Sequence, residues 1–268
     1  MSNVNLRKKD LLQAMLDTKV NVNVLSSIDE NSLAVNLHFN DSKKDETNGL
    51  DEKQHTFKKM TINEVVANTA FFFEAGYETT STSLAYVMHI LVNHIYVQEM
   101  LREEIIQLLE QDGKLDYNVV SNLPFMDAVI NETLRIYPPV TFFVTRVADI
   151  DYKYKNITIP KGTTVVVPVY QIQHDEKIWQ EPEKFDPYRF YGDNKHRIND
   201  IAWQPFGAGP RNCVGMRFAM CEMKLTLAKL LLKYRFEPGL RTEVGEITVK
   251  YKVSVMCPKN VYVKAIRL

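Results

Sequence analysis

The chain has 268 residues, 45% of them hydrophobic, which is enough for one large core or two modest ones. Its 33 lysine and arginine residues balance 33 aspartate and glutamate residues, which argues against a nucleic-acid-binding protein driven by bulk charge. Three cysteines cannot all pair, so we expect no disulfide framework and a reducing compartment. No uncharged apolar run reaches the ~18 residues of a membrane span, and the start MSNVNLRKKD predicts no signal peptide.

The first sixty residues carry two weak signals. Apolar residues recur on one side of a helix over 10–20, which predicts a short helix there. Residues 40–59 are polar and charge-rich, which predicts a flexible loop.

A long central helix is predicted over 61–92. Thr61 and Glu64 form a capping box, in which each side chain satisfies a free backbone N–H of the other residue. Apolar residues then follow helical spacing. The three phenylalanines at 71–73 fit the core better than a pocket, although the pattern also allows one of them to face a pocket.

Two further helices follow. One covers 98–111 and ends before Gly113, and the other covers 125–136 with Pro124 near its first position. The pair Pro138-Pro139 stops the second of them.

Next, β-branched runs at 156–160 and 163–169 flank Lys161-Gly162, which predicts a β-hairpin. The long segment 171–212 has no clear period, is rich in proline and aromatics, and needs something to organise it.

The C-terminal part returns to regular patterns. A last helix is predicted over 214–234, and residues 247–266 alternate like strands. The chain therefore predicts a mainly α protein with small β-sheets, an α+β fold.

The segment FGAGPRNCVG, at 206–215, carries the strongest chemical signal. Its glycines and proline indicate a tight loop whose backbone can lie close to a flat ligand. Cys213 then precedes a helix, whose free N–H groups stabilise a thiolate. From these residues alone, an activated cysteine and a merely buried one are equally good interpretations. A nucleophilic enzyme requires a histidine base, which the sequence does not place, and the cysteine spacing does not fit a zinc site.

Four ordered segments resemble the cytochrome P-450 family of haem-thiolate monooxygenases. FGAGPRNCVG resembles the haem-binding loop of that family, and residues 75–80 resemble the oxygen-activating part of its long central helix. Residues 132–135 resemble its Glu-x-x-Arg pair, and residues 182–190 resemble the segment whose arginine completes that pair. The resemblance is strongest to microsomal, xenobiotic-handling members from animals, particularly insects.

The resemblance implies roles at the haem. Cys213 is then the axial ligand to the iron of haem b, iron protoporphyrin IX. Arg146 and Arg211 are then partners of the haem propionates, and Phe206 packs near the sulfur.

The resemblance also implies how protons and dioxygen are handled. Thr79 is then the hydroxyl that organises proton delivery, with Glu78 as its acid partner. Ala75 and Gly76 leave room for O2, consistent with the cost of about 1 kcal/mol that a glycine imposes on a helix interior.

Glu132, Arg135 and Arg189 are expected to form one network. Glu132 and Arg135 are three residues apart and so share a helix face. The apolar residues around them favour a buried network over a surface ion pair, with Arg189 fastening the 171–212 segment to the helix.

The implied enzyme inserts one oxygen atom from O2 into a lipophilic substrate, with electrons from NADPH through a flavoprotein reductase. The resemblance places it on the cytosolic face of the endoplasmic reticulum membrane. It covers the C-terminal portion of the family fold, so we expect the N-terminal half, and any membrane anchor with it, to be absent from this chain. The alternatives are a non-catalytic, truncated haem-binding fragment and a cysteine-nucleophile enzyme, which haem content distinguishes.

Overall fold

A computed structural model describes residues 19–21, 57–252 and 255–268. The chain divides into two compact units, Met1–Tyr77 and Glu78–Leu268. Helix α1, Ile62–Asn93, supplies residues to both units. No helix in the described part of the chain is both long and apolar enough to cross a membrane.

In the first unit, strand β1, Lys19–Asn21, pairs antiparallel with strand β2, Phe57–Lys59. Two predictions are wrong at their edges as a result. The end of the predicted helix over 10–20 is a strand, and so is the end of the predicted loop over 40–59, because pairing satisfies backbone groups that a loop leaves to water. The remainder of both predicted segments lies outside the described residues.

The capping box forms at the start of α1. The N–H of Thr61 donates to Oε2 of Glu64 at 2.7 Å, and the N–H of Glu64 donates to Oγ1 of Thr61 at 3.2 Å. These bonds satisfy two of the free donors at the helix N-terminus, so the helix begins within one residue of the predicted position.

The assignment of the phenylalanines at 71–73 to the core is wrong. Phe71 is 65% exposed and Phe73 is 75% exposed, while Phe72 is half-buried. Successive residues of a helix point about 100° apart, so three in a row cannot share one buried stripe.

The second unit is built mainly from helices. They are α1 from Glu78 onward, α2 (Ile95–Asp112), α3 (Tyr117–Ser121), α4 (Pro124–Ile136), α5 (Val169–Gln173) and α6 (Met216–Leu231). The apolar faces of all of these helices except α5 meet in one core, with Leu91, Leu101, Ile130 and Leu227 fully buried. Helix α2 ends as predicted at Gly113, which takes the left-handed conformation at φ 74° and donates its N–H to the carbonyl of Leu109.

The second unit also holds eight described strands in four antiparallel pairs. The strands are β3 (Phe143–Val147), β4 (Tyr152–Tyr154), β5 (Ile157–Ile159), β6 (Thr164–Val167), β7 (Tyr234–Glu237), β8 (Val249–Lys252), β9 (Val255–Pro258) and β10 (Lys264–Arg267). The pairs are β3 with β6, β4 with β5, β7 with β10, and β8 with β9. A helix-dominated chain with small sheets is the fold class that the sequence predicts.

The predicted hairpin about Lys161-Gly162 is wrong. Both β-branched runs form strands, but β5 pairs with β4 across a turn in which Lys155 has a φ of 51°. Strand β6 pairs instead with β3, and the N–H of Gly162 donates to the carbonyl of Ala148 at 2.7 Å. Gly162 therefore lies in the connection between β5 of one strand pair and β6 of the other.

The predicted helix over 214–234 is too long at both ends. Helix α6 begins at Met216, after a turn, and ends at Leu231. Tyr234 lies in β7, where its backbone pairs with Arg267 of β10. The last residue of the predicted helix therefore belongs to a sheet.

The segment over 171–212 contains short 3-10 turns, Pro187–Phe190, Gly192–Arg197 and Gly209–Arg211, and one end of α5. A small apolar cluster anchors it to α4. Its buried members are Ala128, Trp179, Phe190 and Ala202.

Candidate functional site

The segment around Cys213 folds into a closed loop just before α6. The N–H of Cys213 donates to the carbonyl of Phe206 at 2.8 Å, which joins the two ends of the loop. Gly207 and Gly209 have φ of 73° and 74°, a conformation that costs other residues energy. Two of the three glycines of the FGAGPRNCVG segment, Gly207 and Gly209, are therefore favoured by the backbone of this loop.

Cys213 is exposed, so the interpretation of it as a merely buried cysteine is wrong. The other two cysteines differ: Cys257 is buried, and Cys221 is half-buried against the main core. Of the three cysteines, all of them in the described part of the chain, Cys213 alone is exposed.

The surroundings of the sulfur suit a flat apolar group. Val214, the next residue, is 82% exposed, and the neighbouring Ala208 and Pro210 are also exposed. Among the described residues, no atom lies within 4 Å of the position that a Cβ on Gly209 would take. A soft sulfur donor on an open, weakly polar surface fits a haem and its iron.

The described residues hold no cluster suited to a multi-ligand metal site, and His174 is engaged elsewhere. No group of three or more His, Cys, Asp or Glu side chains in the described part of the chain is placed to hold a metal ion. The ring of His174 stacks on Tyr170 at 4.0 Å, and its Nδ1 lies 2.8 Å from the Tyr170 carbonyl oxygen. His174 is thus engaged by its own helix, which weakens the cysteine-nucleophile alternative.

Two arginines predicted at the haem are exposed in the second unit. Arg211 ends the 3-10 turn of the loop, two residues before Cys213. Arg146 lies in β3, where the pairing register with β6 shifts between Val144 and Arg146. Such a bulge redirects the side chains that follow it. The role of both arginines at the propionates stays a prediction.

Phe206 lies behind the loop. Its half-buried ring packs against the main core and contacts Trp203 edge-on, with centroids 6.3 Å apart. The Trp203 indole N–H donates to the carbonyl of Asn131 on α4 at 3.1 Å. The loop is thereby connected to the helix that carries Glu132.

The structure brings Glu132, Arg135 and Arg189 together. Arg135 donates from Nε to Oε2 of Glu132 at 2.7 Å and from Nη2 to Oε1 at 2.9 Å, and both side chains are 0% exposed. Arg189 donates from Nε to Oε1 at 3.3 Å, and the N–H of Asp186 donates to the same oxygen at 3.0 Å. One carboxylate thus fastens the irregular segment to α4.

Burial sets the electrostatics of this network. Loss of hydration raises the pKa of Glu132, while the hydrogen bonds and charge of Arg135 act in the opposite direction. The Arg135 guanidinium also lies over the ring of Trp179, 5.2 Å from its centroid. A carboxylate buried without partners would be costly, so Glu132 depends on the positive charges of its arginine partners.

Gln173, which the sequence analysis missed, extends the network to the loop. Its Nε2 donates to the carbonyls of Leu134 and Arg135, at 3.0 Å each, and its Oε1 accepts from the N–H of Gln204 at 2.9 Å. The carbonyl of Gln204 in turn accepts from Gly207 at 3.0 Å. Helix α4 and the Cys213 loop are therefore linked by hydrogen bonds through a single buried glutamine.

Glu78 and Thr79 are half-buried on α1. The Thr79 carbonyl accepts from the Ser83 hydroxyl at 2.8 Å, and the Glu78 carboxylate pairs with Lys252, a partner that the sequence did not suggest. Ala75 and Gly76 lie one turn earlier, in the first unit, and both are exposed. A Cβ on Gly76 would meet no described atom within 4 Å.

Comparison with known proteins agrees with this arrangement. Residues 7–265 match the family model described as Cytochrome P450. Cytochrome P450 3A11 of Mus musculus is 37% identical over 236 residues, which is 88% of this chain and 45% of that protein. Cytochrome P450 3A2 of Rattus norvegicus is 41% identical over 197 residues, 74% of this chain and 38% of that protein.

The chain spans less than half the length of these curated relatives. Both relatives are mammalian, and so is cytochrome P450 3A12 of Canis lupus familiaris, 42% identical over 72% of this chain and 38% of that protein. The expected insect placement has no support among them. The family match extends over nearly the whole chain, and the chain belongs to the cytochrome P450 family.

Proposed function

We propose that this chain supplies the haem-thiolate part of a monooxygenase, in which Cys213 would hold the haem iron through its thiolate. The observation that carries this proposal is the exposed sulfur of Cys213 on a hydrogen-bonded loop, in a chain of the cytochrome P450 family. When bound, the haem activates O2 so that one oxygen atom enters a lipophilic substrate.

The other residues that the family resemblance identifies have separate tasks in the proposal. Arg146 and Arg211 are exposed cations suited to the two propionate carboxylates. Glu78 holds and releases protons at its carboxylate, and the Thr79 hydroxyl passes them on. Ala75 and Gly76 keep side-chain bulk away from α1 where O2 is expected. Phe206 and Gln173 hold the loop in place from behind.

Electrons are proposed to come from NADPH through a flavoprotein reductase. A longer protein that contains this chain is proposed to act at the endoplasmic reticulum membrane, on its cytosolic face. The named relatives are about twice as long or more, so the complete activity is assigned to a protein of that length.

The absorption spectrum of the reduced carbonyl complex tests this proposal. We expect the full-length protein to give the red-shifted band of a thiolate-ligated haem, and Cys213→Ala to abolish it. Cys221→Ala and Cys257→Ala are the matched controls and should keep the band. A thiolate-type band that survives Cys213→Ala would show that the axial ligand is another residue.

A non-catalytic haem-binding fragment is the second candidate for the chain on its own. It is favoured by the exposed apolar side chains next to the sulfur, Val214 and Phe218. An open haem site admits water, which screens the charges that catalysis uses, and exposed apolar patches promote aggregation. The 268-residue chain, reconstituted with haem and supplied with reductase and NADPH, should form no product from lipophilic substrates. Sustained NADPH-dependent product would refute the fragment interpretation.

A further inference from the structure

Glu78 forms an ion pair with a lysine far along the chain. The Nζ of Lys252 lies 2.6 Å from Oε1 of Glu78, although 174 positions separate the two residues. Glu78 is next to Thr79 on α1, and Lys252 is the last residue of β8. Both belong to the second unit, so the pair connects the C-terminal ribbon to the residues proposed to handle protons.

The backbone of Lys252 is held by strand pairing. Lys252 lies opposite Val255 of β9, and Val255 also bridges to Val140. The N–H of Met256 donates to the carbonyl of Pro139 at 2.8 Å. The ribbon is thus fastened to the segment that follows α4, and this placement brings the Lys252 side chain to α1.

The pair has little value for stability alone. The Lys252 side chain is 59% exposed and that of Glu78 is 39% exposed, and ion pairs at such positions contribute little to folding. Its effect on charge is clearer. The hydrogen bond and charge of Glu78 raise the pKa of Lys252, so the lysine stays cationic at neutral pH and keeps donating to Oε1.

We propose that Lys252 is a positioning residue for Glu78. By holding Oε1 it fixes the orientation of the carboxylate, and it leaves Oε2 to accept a proton from protonated solvent. Oε2 then gives that proton to the Thr79 hydroxyl oxygen while the hydroxyl passes its own proton on. In this step Glu78 gains one proton at Oε2 and loses one, while Lys252 keeps its own protons throughout. The inference deepens the proposed function and rests on it, and Lys252 acts only through Glu78.

The test compares matched lysine variants in the full-length, haem-loaded protein with reductase. Lys252→Met should raise the peroxide released per NADPH by roughly two- to tenfold, which corresponds to the lower part of the coupling range between contacting residues. Lys252→Arg, which keeps the cation, should restore low peroxide release. Lys250→Met is the control, because Lys250 is an exposed lysine on the same strand, and it should behave as the unmodified protein. Equal peroxide release from Lys252→Met and the unmodified protein overturns the inference.

Two further measurements separate positioning from a structural role. In a Glu78→Gln background, Lys252→Met should cause no additional change; independent, additive effects would show that Lys252 does not act through Glu78. By NMR titration of the labelled lysine side chain, Glu78→Gln should lower the pKa of Lys252. An unchanged Lys252 pKa would show that the pair does not form in solution, which also overturns the inference.

The failure of the inference is distinguishable from failure of the proposed function. If the unmodified protein lacks the thiolate-type carbonyl spectrum, the proposed function fails, and the inference falls with it. If that spectrum and NADPH-dependent product are present but Lys252→Met stays fully coupled, the inference alone fails.

Discussion

The region around Glu132 and the face that carries Cys213 treat polar groups in opposite ways. Glu132 and Arg135 are completely buried, and every charge among them has a partner at hydrogen-bond distance. Cys213 lies at the surface, followed by an exposed valine. Burial of charge demands complete pairing, whereas a ligand atom has to remain accessible.

This difference in burial accounts for the position of the buried network behind the loop rather than within it. A loop with two glycines at positive φ has little internal stability, because glycine loses much conformational freedom on folding. Its shape is therefore maintained by a hydrogen-bond connection to a rigid neighbour through Gln173, and by the bond between the Cys213 N–H and the Phe206 carbonyl that closes the loop. The exposed side chains of the loop are then free to contact a ligand, because other groups maintain the shape of the loop.

Arg135→Leu disrupts the buried network and should have the largest effect on stability. It leaves the Glu132 carboxylate without its bidentate partner, which typically costs about 3–5 kcal/mol. We expect the full-length protein to lose that free energy of unfolding in urea and to purify with little haem. Lys184→Leu is the control, since it removes an exposed pair with Glu181 and should cost less than about 1 kcal/mol. Normal haem content and stability in Arg135→Leu would show that the network is dispensable.

Gln173→Leu cuts the connection between the two regions and should have the next largest effect. Two carbonyls of α4 and the N–H of Gln204 lose their partner, at about 1–3 kcal/mol for a buried group left unsatisfied. Urea unfolding should show the loss, and the haem spectrum should broaden as the loop loosens. Gln171→Leu, an exposed change two residues earlier on α5, should do neither. Similar stabilities for the two variants would contradict the linking role of Gln173.

The sequence predicts those parts of the fold that local rules determine. The capping box at Thr61 and Glu64 and the glycine cap at Gly113 both lie where helix chemistry places them. The spacing of Glu132 and Arg135 puts them on one face of α4, and the apolar residues around them indicate that the face is buried.

The rest depends on contacts between distant parts of the chain. The β-branched runs indicate strands, but nothing local says that β5 pairs backward with β4 and β6 with β3. Gln173 and Lys252 have no motif of their own, since each takes its role from a partner 31 or 174 positions away. The exposed phenylalanines Phe71 and Phe73 show that apolar composition does not by itself establish burial.

His89 differs from Glu132, because it is a buried titratable group to which no oppositely charged side chain among the described residues forms a hydrogen bond. Its Nε2 lies 2.9 Å from the carbonyl oxygen of Gly245, and burial lowers its pKa below the ordinary 6.5. Below about pH 6.5 the unfolded chain therefore binds more protons than the folded one, and stability falls as the pH decreases. The dependence for one proton cannot exceed about 1.4 kcal/mol per pH unit.

His89→Gln keeps a donor for Gly245 but removes the titration. Urea unfolding between pH 7 and pH 5.5 should show a smaller loss of stability in this variant than in the unmodified protein. Burial also lowers the pKa of His174, so His174→Gln should give a second, additive reduction. Identical pH dependence in His89→Gln and the unmodified protein would mean that His89 is already solvated in solution.

Val214→Ser changes the exposed surface beside Cys213 and should have the smallest effect on folding. Val214 follows Cys213 and is 82% exposed, so replacing it removes almost no buried apolar area and should change the free energy of unfolding of the haem-free chain by less than about 0.5 kcal/mol. Haem retention should respond differently if the exposed face is the haem site, because a polar side chain beside the sulfur weakens apolar contact with the ring. The measurement is the rate of haem transfer to an acceptor protein, with Val244→Ser, another exposed valine of the second unit, as the control. Faster haem loss from Val214→Ser alone, without a change in folding, is the expected result. Equal rates in both variants would place the haem elsewhere.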